Sequence, residues 1–424
     1  MRFRKASSNI KSFKRHNYKK IVMNVKGIKL QAELEKAIFD LGFSEFTEIQ
    51  EKAIPLIQQG HDVIGQSYTG SGKTVAFGFP ALEKVIRGNG IQLIILVPTR
   101  ELCNQVSKEM QRFSKYKQLK IISVYGGVSI NNQIDLLRHG DVVIATPGRM
   151  LDHINRNTIN LSRVKILILD EADKMFEMGF VDDIKRIISF VPKERQTLLF
   201  SATMSQDVYD IVHHYMRNPV KVKMQSYVDK NQLVQHYYNI PLNEKFSLLV
   251  YLLKHESSGL SLVFCATRSI VDDISNNLRK QGLNVQSLHG GLSQNRRNHV
   301  MEAFHNHKLD VLIASDVAAR GLDIKDVSLV VNYDIPKTSK EYVHRIGRTA
   351  RAGSKGKVVS LLSPQDHDNF RRVLEDRSLL VSRIEVPKFE RVFFARNRQR
   401  HVGRFRQNNR FEHRANRPSP FRRF

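Results

Sequence analysis

The sequence has few cysteines and no long apolar run. Its 424 residues include only two cysteines, Cys103 and Cys265, which lie far apart in the sequence. Neither has another candidate ligand at the spacing of a metal site. We therefore expect two reduced core cysteines in a reducing compartment. No apolar run approaches the roughly 20 residues that cross a bilayer, and the N-terminus lacks the apolar core of a secretory signal. These absences predict a cytoplasmic protein without a membrane partner.

Acidic residues are also scarce, most of all at the two ends. The chain has 68 Lys and Arg against 41 Asp and Glu, a net charge of +27. Residues 1–26 carry nine basic residues and no acid, and residues 388–424 carry a net charge of +10 among seven phenylalanines. Basic ends on a globular body favour a polyanionic partner. A solubilising tail, a protein-binding segment and, at the first end, an organellar presequence are the alternatives.

The apolar residues of the middle of the chain form short, β-branched runs that are typical of buried parallel strands. Helical patterns such as 101–114 and 129–138 alternate with them, which predicts parallel sheets with helices on both faces. The predicted strands are 62–65, 92–97, 120–124, 141–145, 164–169 and 197–200, then 235–240, 261–265, 284–288, 310–314, 327–332 and 357–362. The predicted division is a disordered basic arm (1–26), an α/β domain (27–218), a linker (219–233), a second α/β domain (234–382) and a disordered tail (383–424) whose arginines and interleaved phenylalanines suit RNA.

A glycine-rich stretch, Tyr68 to Thr74, lies between a predicted strand and a helical pattern. Gly70 and Gly72 allow the backbone to fold closely around phosphate oxygens, and the following helix adds the positive end of its dipole. Lys73 can reach the outer phosphates, and the Thr74 hydroxyl can bind Mg²⁺. The pattern favours a nucleoside triphosphate; a Gly/Ser loop that only caps a helix is the alternative.

An acidic quartet, Asp170 to Asp173, follows the apolar run 166–169. Carboxylates at the C-terminal end of a parallel strand lie where such sheets bind ligands. Asp170 is placed to hold the Mg²⁺ that Thr74 contacts, and Glu171 can orient and deprotonate an attacking water. An acidic turn that caps the next helix is the alternative, which the preceding strand and the upstream Gly-Lys-Thr sequence disfavour.

A basic cluster, His344 to Arg351, lies in the second predicted domain. Arg348 and Arg351 are three residues apart, so on a helical turn they share a face. If the two domains close on a nucleotide, both can act as arginine fingers on the γ-phosphate. A solvent-exposed basic helix face is the alternative.

Over about residues 27–365 these motifs resemble those of the DEAD-box RNA helicases. The tetrad Asp170-Glu171-Ala172-Asp173 has the sequence that names the family, and Thr47-Glu48-Ile49-Gln50 is similar to its adenine-reading motif. Further matches, in chain order, are Pro98–Leu102, Gly126-Gly127, Thr146–Arg149, Ser201–Thr203, Val263-Phe264, His289–Gly291 with Gln294 and Arg297, Ser315–Asp323 and His344–Arg351. So many motifs in the order of the family make the resemblance specific.

The resemblance implies two tandem RecA-like domains, ATP and Mg²⁺ as ligands and RNA as partner. Catalytic roles would fall to Lys73, Asp170, Glu171, Arg348 and Arg351. ATP would be bound by Gln50, Thr69, Gly70, Ser71, Gly72, Lys73, Thr74 and Asp323, and Mg²⁺ by Thr74 and Asp170. The RNA backbone would be contacted by Arg100, Gly127, Thr146, Arg149, Arg297 and Ser315, while Ser201 and Thr203 would couple hydrolysis to strand separation.

Several positions depart from the family pattern. Phe46 replaces the usual proline of the adenine-reading motif, and Val25 stands where an upstream aromatic residue is usual, so weaker adenine stacking is expected. Further departures are Ser67, Tyr68, Ser315 and Ala350. None of them removes a charged catalytic group, so we expect activity to be retained.

We therefore expect an RNA-dependent ATPase whose two domains close on RNA and open short duplexes or remodel RNA–protein complexes. Contacts to the RNA backbone make binding largely independent of sequence and sensitive to salt. An ATP-gated RNA clamp or annealing chaperone, and a DNA-directed helicase on the same fold, are the alternatives. A monomer that acts on ribosomal precursors or in mRNA decay is expected from the resemblance.

Overall fold

The computed structural model describes residues 28–43, 45–67, 71–224, 233–319, 327–349, 356–377 and 379–395. Within these ranges two α/β domains follow one another along the chain, each built on its own sheet. No helix in the described part of the chain is both long and apolar enough to span a membrane. The predicted basic arm, most of the linker and residues 396–424 of the predicted tail lie outside the described residues.

The first domain alternates strands and helices from residue 32 to residue 223. Its strands are β1 (Val63–Gln66), β2 (Leu93–Leu96), β3 (Ile121–Val124), β4 (Val142–Ala145), β5 (Ile166–Asp170), β6 (Gln196–Ser201) and β7 (Val220–Lys223). Its helices are α1 (Ala32–Asp40), α2 (Glu48–Gln58), α3 (Lys73–Glu83), α4 (Arg100–Phe113), α5 (Ile130–Leu137), α6 (Pro147–Asn155), α7 (Ala172–Glu177), α8 (Val181–Ser189) and α9 (Gln206–Tyr215).

The second domain repeats this alternation from residue 233 to residue 383. Its strands are β8 (Leu233–Asn239), β9 (Leu260–Cys265), β10 (Val285–Leu288), β11 (Val311–Ser315), β12 (Val327–Asn332), β13 (Gly356–Leu362) and β14 (Ser382–Arg383). Its helices are α10 (Lys245–His255), α11 (Arg268–Lys280), α12 (Gln294–His305), α13 (Asp316–Ala319), α14 (Ser339–Ile346) and α15 (His367–Leu374), with a 3₁₀ turn at Pro364–Asp366.

The two sheets share one topology. All the strand pairs are parallel, in the orders β3-β4-β2-β5-β6-β1-β7 and β10-β11-β9-β12-β13-β8-β14. Counted from the first strand of each domain, the two orders are identical. Central strands such as β2 and β4 are buried along their whole length because helices cover both faces of the sheet. An apolar core lies on each face of each sheet, which confirms the predicted fold class.

The predicted linker begins too early. Residues 220–223, which the sequence analysis placed in the linker 219–233, form the edge strand β7 and pair with β1. Their alternation Val-Lys-Val-Lys leaves one apolar face, and only Val222 is buried in the core. So short a half-buried edge strand gives a weak periodic signal. The first domain therefore extends to residue 223.

The predicted tail also begins too early. After β14 the chain continues as an extended segment, residues 384–395, which we call the C-terminal strap. Phe389, Val392 and Phe394 of the strap pack against the second domain's core. The Val392 amide donates to Ser247 Oγ at 3.0 Å, and Asn277 bonds both the amide and the carbonyl of Ala395. The prediction of a tail without a core is thus wrong for residues 383–395, because their partners lie more than 100 residues away.

Among the described residues, two ion pairs cross the cleft between the domains. Glu101 in α4 pairs with Arg297 in α12, with 3.0 Å between Oε1 and Nη1, and it also accepts a hydrogen bond from Gln294 Nε2 at 2.9 Å. Glu177 in α7 pairs with Lys340 in α14. These contacts hold the motif-bearing ends of the two sheets against each other.

Candidate functional site

Side chains at the start of α2 donate hydrogen bonds to the glycine-rich loop. Gly72 has φ +88°, and a Cβ there would lie 2.2 Å from Gln50 Nε2, so only glycine fits. Gln50 Nε2 donates to the Gly72 carbonyl at 3.0 Å, and Thr47 Oγ1 donates to the Ser71 carbonyl at 2.9 Å. The predicted adenine-reading residue Gln50 therefore also supports the phosphate loop. Tyr68, Thr69 and Gly70 lie outside the described residues.

Ser67 occupies one of the positions that depart from the family pattern. Its hydroxyl accepts a hydrogen bond from Ser71 Oγ at 3.0 Å, and its carbonyl accepts one from Lys73 Nζ at 3.4 Å. Both serines and Lys73 are buried at the start of α3, and Thr74 follows on the first turn. The serine at position 67 thus ties the two ends of the loop together.

Asp170 ends β5 beside this loop. Burial raises the pKa of its carboxyl to about 6, although nearby Lys73 acts in the opposite direction. Its Oδ1 accepts the amide of Glu171 at 2.9 Å. The described residues contain no group of three or more His, Cys, Asp or Glu that could hold a metal ion on its own. A single buried carboxylate and the Thr74 hydroxyl fit Mg²⁺, which keeps waters and binds through one or two carboxylates and substrate phosphates.

Glu171 has a strained backbone and a buried cationic partner. Its φ of +52° is left-handed, and the residue caps α7. Its Oε2 lies 2.9 Å from Lys174 Nζ, and Lys174 is 1% exposed. Burial would raise the pKa of Glu171, but Lys174, Lys73 and Arg348 outweigh it, so the pKa lies below its usual value. Sequence reasoning missed Lys174, although it follows the tetrad and faces Glu171 one helical turn on.

Asp173 joins the acidic quartet to the end of β6. Its Oδ2 accepts both the amide and the hydroxyl of Thr203 at 2.9 Å, and its own amide donates to Ser201 Oγ at 3.3 Å. Ser201 Oγ in turn donates to the Thr203 carbonyl at 2.7 Å. Movement of either segment therefore changes the hydrogen bonds of the other. The two predicted coupling residues, Ser201 and Thr203, are brought together with the tetrad.

The second domain contributes a buried face to this acidic site. Arg348 is 3% exposed and lies close enough to Glu171 to lower the pKa of that carboxyl. Burial and Lys174 lower the pKa of His344 well below its usual value, so its ring is neutral. Neither ring nitrogen of His344 has a hydrogen-bond partner among the described residues. Arg351 and Asp323 lie outside the described residues.

Arg345, which belongs to the same basic cluster, is structural. Its guanidinium makes two 2.7 Å hydrogen bonds to the carboxylate of Asp316 and further bonds to Asn332 Oδ1 and the Asp334 carbonyl. These contacts fasten α14 to the ends of β11 and β12. The neighbouring Arg348 is thereby held at the end of α14, beside the first domain.

A second set of predicted residues lies on the first domain around a glycine pair. Arg100 packs over Gly126 and Gly127, and a Cβ at Gly127 would lie 2.0 Å from Arg100 Nη1. Arg149 in α6 donates to the Val128 carbonyl at 3.1 Å, and Thr146 is the residue before α6. Two guanidinium groups and the starts of α4 and α6 thus surround one loop, an arrangement that can bind phosphates.

The second domain repeats this arrangement with a residue that the sequence analysis missed. Arg268 begins α11 and lies over the glycine pair after β10, 3.2 Å from a Cβ placed at Gly290. Thr267 caps α11 just as Thr99 caps α4. The signal was present, because a Thr-Arg pair follows the second strand of each domain and a glycine pair follows the third. Ser315, a predicted RNA contact, ends the neighbouring strand β11 and is buried.

Arg297, another predicted RNA contact, has protein partners. Besides its ion pair with Glu101, it donates to the Ala318 carbonyl at 3.4 Å. Its side chain is 16% exposed and Glu101 is 8% exposed. Arg297 therefore connects the two domains through its contact with Glu101.

Comparison with known proteins gives consistent results. Residues 47–211 match the DEAD/DEAH box helicase model, and residues 244–353 match the helicase conserved C-terminal domain. The ATP-dependent RNA helicase CshA of Listeria monocytogenes is 42% identical over 367 residues, which are 86% of this chain and 71% of the relative.

Solved structures show the same likeness. A DEAD box protein from the hyperthermophile Methanococcus jannaschii is 40% identical with a TM-score of 0.55, over 85% of this chain and 99% of that one. Dbp5 of S. cerevisiae bound to RNA and ADP BeF3 is 32% identical with a TM-score of 0.78, over 87% of this chain and 96% of that one. The RNA-bound structure is thus the better overall match despite its lower identity.

Proposed function

This chain belongs to the DEAD-box ATP-dependent RNA helicases, and on that premise we propose how its own residues perform the reaction. ATP binds the loop at residues 67–74, and RNA binds across both domains. The observation that carries the proposal is the burial of Arg348 and His344 of the second domain against the acidic quartet of the first. Because Arg348 comes from the second domain, ATP hydrolysis is fast only when the domains are closed.

The catalytic groups act mainly by position and charge, as is general for phosphoryl transfer. Lys73 neutralises the outer phosphates, and Arg348, together with Arg351, stabilises charge that develops at the γ-phosphate. Glu171 accepts a proton from the attacking water, and Lys174 orients its carboxylate at 2.9 Å. Asp170 and Thr74 would hold Mg²⁺, which would supply positive charge to neutralise the phosphates. Gln50 would bind the adenine and Asp323 the ribose.

ATP hydrolysis and RNA binding are coupled through the hydrogen bonds of Asp173. Because Thr203 and Ser201 bond this carboxylate, a shift of the tetrad on hydrolysis moves the segment after β6. That segment and His344 of the second domain line the same pocket between the domains. We propose that, through this pocket, closure of the two domains on RNA depends on the bound nucleotide.

The RNA backbone is bound by the two glycine-pair sites. Arg100, Gly127, Thr146 and Arg149 contact it from the first domain, and Ser315 and Arg297 from the second. Arg268 joins this set because it repeats the position of Arg100. The better match to RNA-bound Dbp5 supports the view that this arrangement of domains is the RNA-binding one.

The setting of the enzyme is also part of the proposal. We propose a cytoplasmic monomer that uses Mg²⁺ and acts on ribosomal precursors or in mRNA decay. The basic ends of the chain and the sparse, unpaired cysteines support it. The residues of the predicted tail beyond 395 would add sequence-independent RNA affinity through arginine and stacked phenylalanine.

The discriminating experiment is an ATPase assay with single-stranded RNA, duplex RNA and single-stranded DNA of matched length as activators. We expect stimulation by RNA and little by DNA, together with unwinding of a short RNA duplex. Equal stimulation by DNA would indicate a DNA-directed enzyme. Tight RNA binding with a non-hydrolysable ATP analogue but no unwinding would indicate an RNA clamp.

A further inference from the structure

His153 lies in α6 of the first domain. Its ring is fully buried, and both nitrogens are hydrogen-bonded. Nδ1 lies 2.8 Å from Thr158 Oγ1, and Nε2 lies 3.0 Å from Gln133 Oε1. A buried imidazole with two polar partners has a defined tautomer, which can be read from its neighbours.

The contacts of Gln133 show where the proton on His153 lies. The amide nitrogen of Gln133 donates to the Tyr125 carbonyl at 3.0 Å, so its Oε1 faces His153 and Arg149 as an acceptor. Nε2 of His153 must therefore carry the hydrogen, and Nδ1 is left as an acceptor that faces the Thr158 hydroxyl, which also lies 3.1 Å from the His153 carbonyl. Burial and the nearby Arg149 lower the pKa of His153, which keeps this neutral tautomer.

The amide of Gln133 connects the two parts of the first glycine-pair site. Its nitrogen holds Tyr125, the residue before Gly126 and Gly127, and its oxygen accepts Arg149 Nη1 at 3.3 Å. Gln133 is 4% exposed, so water does not replace these bonds readily. If the amide rotated by half a turn, its NH₂ group would face the guanidinium of Arg149, and both bonds would be lost.

We propose that His153 is a positioning residue for RNA binding: its Nε2–H fixes the orientation of the Gln133 amide, and thereby the glycine pair and Arg149. This inference rests on the proposed function, because it assumes that Gly127 and Arg149 contact RNA. His153 touches neither RNA nor ATP. Its loss should therefore change the affinity for RNA and leave the chemical step intact.

Two substitutions at position 153 separate positioning from simple structural support. In His153→Gln the amide nitrogen can take the place of imidazole Nε2, whereas in His153→Asn it lies where Nδ1 was. Loss of one buried hydrogen bond and of its orienting effect should raise the RNA concentration for half-maximal ATPase about 5- to 10-fold in H153N. At saturating RNA, the kcat of H153N and its KM for ATP should stay within about twofold of the parent protein. The RNA affinity of H153Q should also lie within about twofold of the parent protein.

Each outcome of the ATPase titration decides the question. An unchanged KM for RNA in H153N, a fall in kcat alone, or an H153Q variant as weak as H153N would overturn the inference. The double variant H153N/Q133A should be no weaker than Q133A, because both act through one amide. Arg149→Ala tests the premise separately: if R149A binds RNA normally, the proposed RNA contact fails. If R149A is weak and H153N is normal, only the role of His153 fails.

Discussion

Glu101 of the first domain and Arg297 of the second form an ion pair across the cleft, with 3.0 Å between Oε1 and Nη1. Glu101 directly follows Arg100, which packs over the glycine pair of the first domain. The pair therefore connects the neighbour of Arg100, a proposed RNA contact, to the other domain. We expect Arg297 to contribute to domain closure whether or not it touches RNA.

Removal of charge from Glu101 tests this link. Since the pair is mostly buried, we expect E101Q to raise the RNA concentration for half-maximal domain closure about 5- to 10-fold. Closure is measured by fluorescence transfer between dyes on the two domains, with RNA and a non-hydrolysable ATP analogue. E177Q is the matched control, because the Glu177–Lys340 pair is 29% exposed on both sides and should change closure by about twofold or less. Closure of E101Q at parent RNA concentrations would contradict a role for the pair.

Lys174 is expected to be needed for stability as well as for orientation of Glu171. In K174M a buried carboxylate loses its partner, which should lower the free energy of unfolding by about 3 kcal/mol at pH 7. The double variant K174M/E171Q should regain most of this loss, since it has no unpaired buried charge. Urea unfolding of both variants provides the measurement. A double variant no more stable than K174M would show that Lys174 acts by packing alone.

We expect the buried carboxylate of Asp170, a proposed Mg²⁺ ligand, to lower the free energy of unfolding at high pH. Its folded pKa of about 6 is above the unfolded value, so its favourable contribution is present below pH 4 and lost as pH rises through 6. D170N should therefore unfold with a free energy about 1–3 kcal/mol higher at pH 8, a gain that disappears near pH 4. Urea unfolding without Mg²⁺ or nucleotide measures it.

Asp173 provides the control of opposite sign for that experiment. Lys174 and the Thr203 hydroxyl outweigh burial and lower the pKa of Asp173, so its contribution is present at neutral pH and lost as pH falls. D173N should therefore be less stable than the parent protein at pH 8.

In the parent protein the Mg²⁺ concentration for half-maximal ATPase should rise below pH 6, because protons compete for Asp170. Equal stability of D170N and the parent at pH 8 would argue against the shift.

Gly127 is expected to tolerate no side chain. Gly127→Ala combines a φ of +82° with a Cβ that would lie 2.0 Å from Arg100 Nη1, so the guanidinium must move. We expect RNA affinity to fall about 10-fold or more, measured by fluorescence anisotropy with a labelled single strand. Gly179→Ala is the matched control, since Gly179 has φ +83° but no atom within 4 Å of the added Cβ. If both variants lose the same affinity, backbone strain rather than Arg100 is responsible.

Truncation should separate the C-terminal strap from the residues that follow it. Residues 396–424 hold ten basic residues and one acid, so their deletion should weaken RNA binding and flatten its salt dependence. Deletion from residue 388 should also destabilise the second domain, because Phe389, Val392 and Phe394 leave its core. Thermal unfolding and RNA titrations at several salt concentrations measure the two effects. An unchanged salt slope after deletion of 396–424 would exclude RNA binding by that segment.

Much of the fold could be predicted from the sequence. The strands from β1 to β6 and from β8 to β13 were predicted to within about two residues, because buried parallel strands are short apolar runs between helical patterns. The phosphate loop, the acidic quartet and the basic cluster were recognisable because backbone freedom and charge restrict which residue types can act there. The half-buried strand β7 and the two-residue strand β14 lacked this signal.

The order of residues alone determined two parallel α/β domains, the glycine-rich stretch before α3 and the carboxylates after β5, since each depends on neighbours in the chain. The tertiary structure alone decided that Arg297 pairs with Glu101, that Gln133 joins His153 to Arg149, and that the strap packs on the second domain. These contacts join residues 16 to nearly 200 positions apart. Their energies depend on distance and burial in space, which a periodic pattern in the sequence does not record.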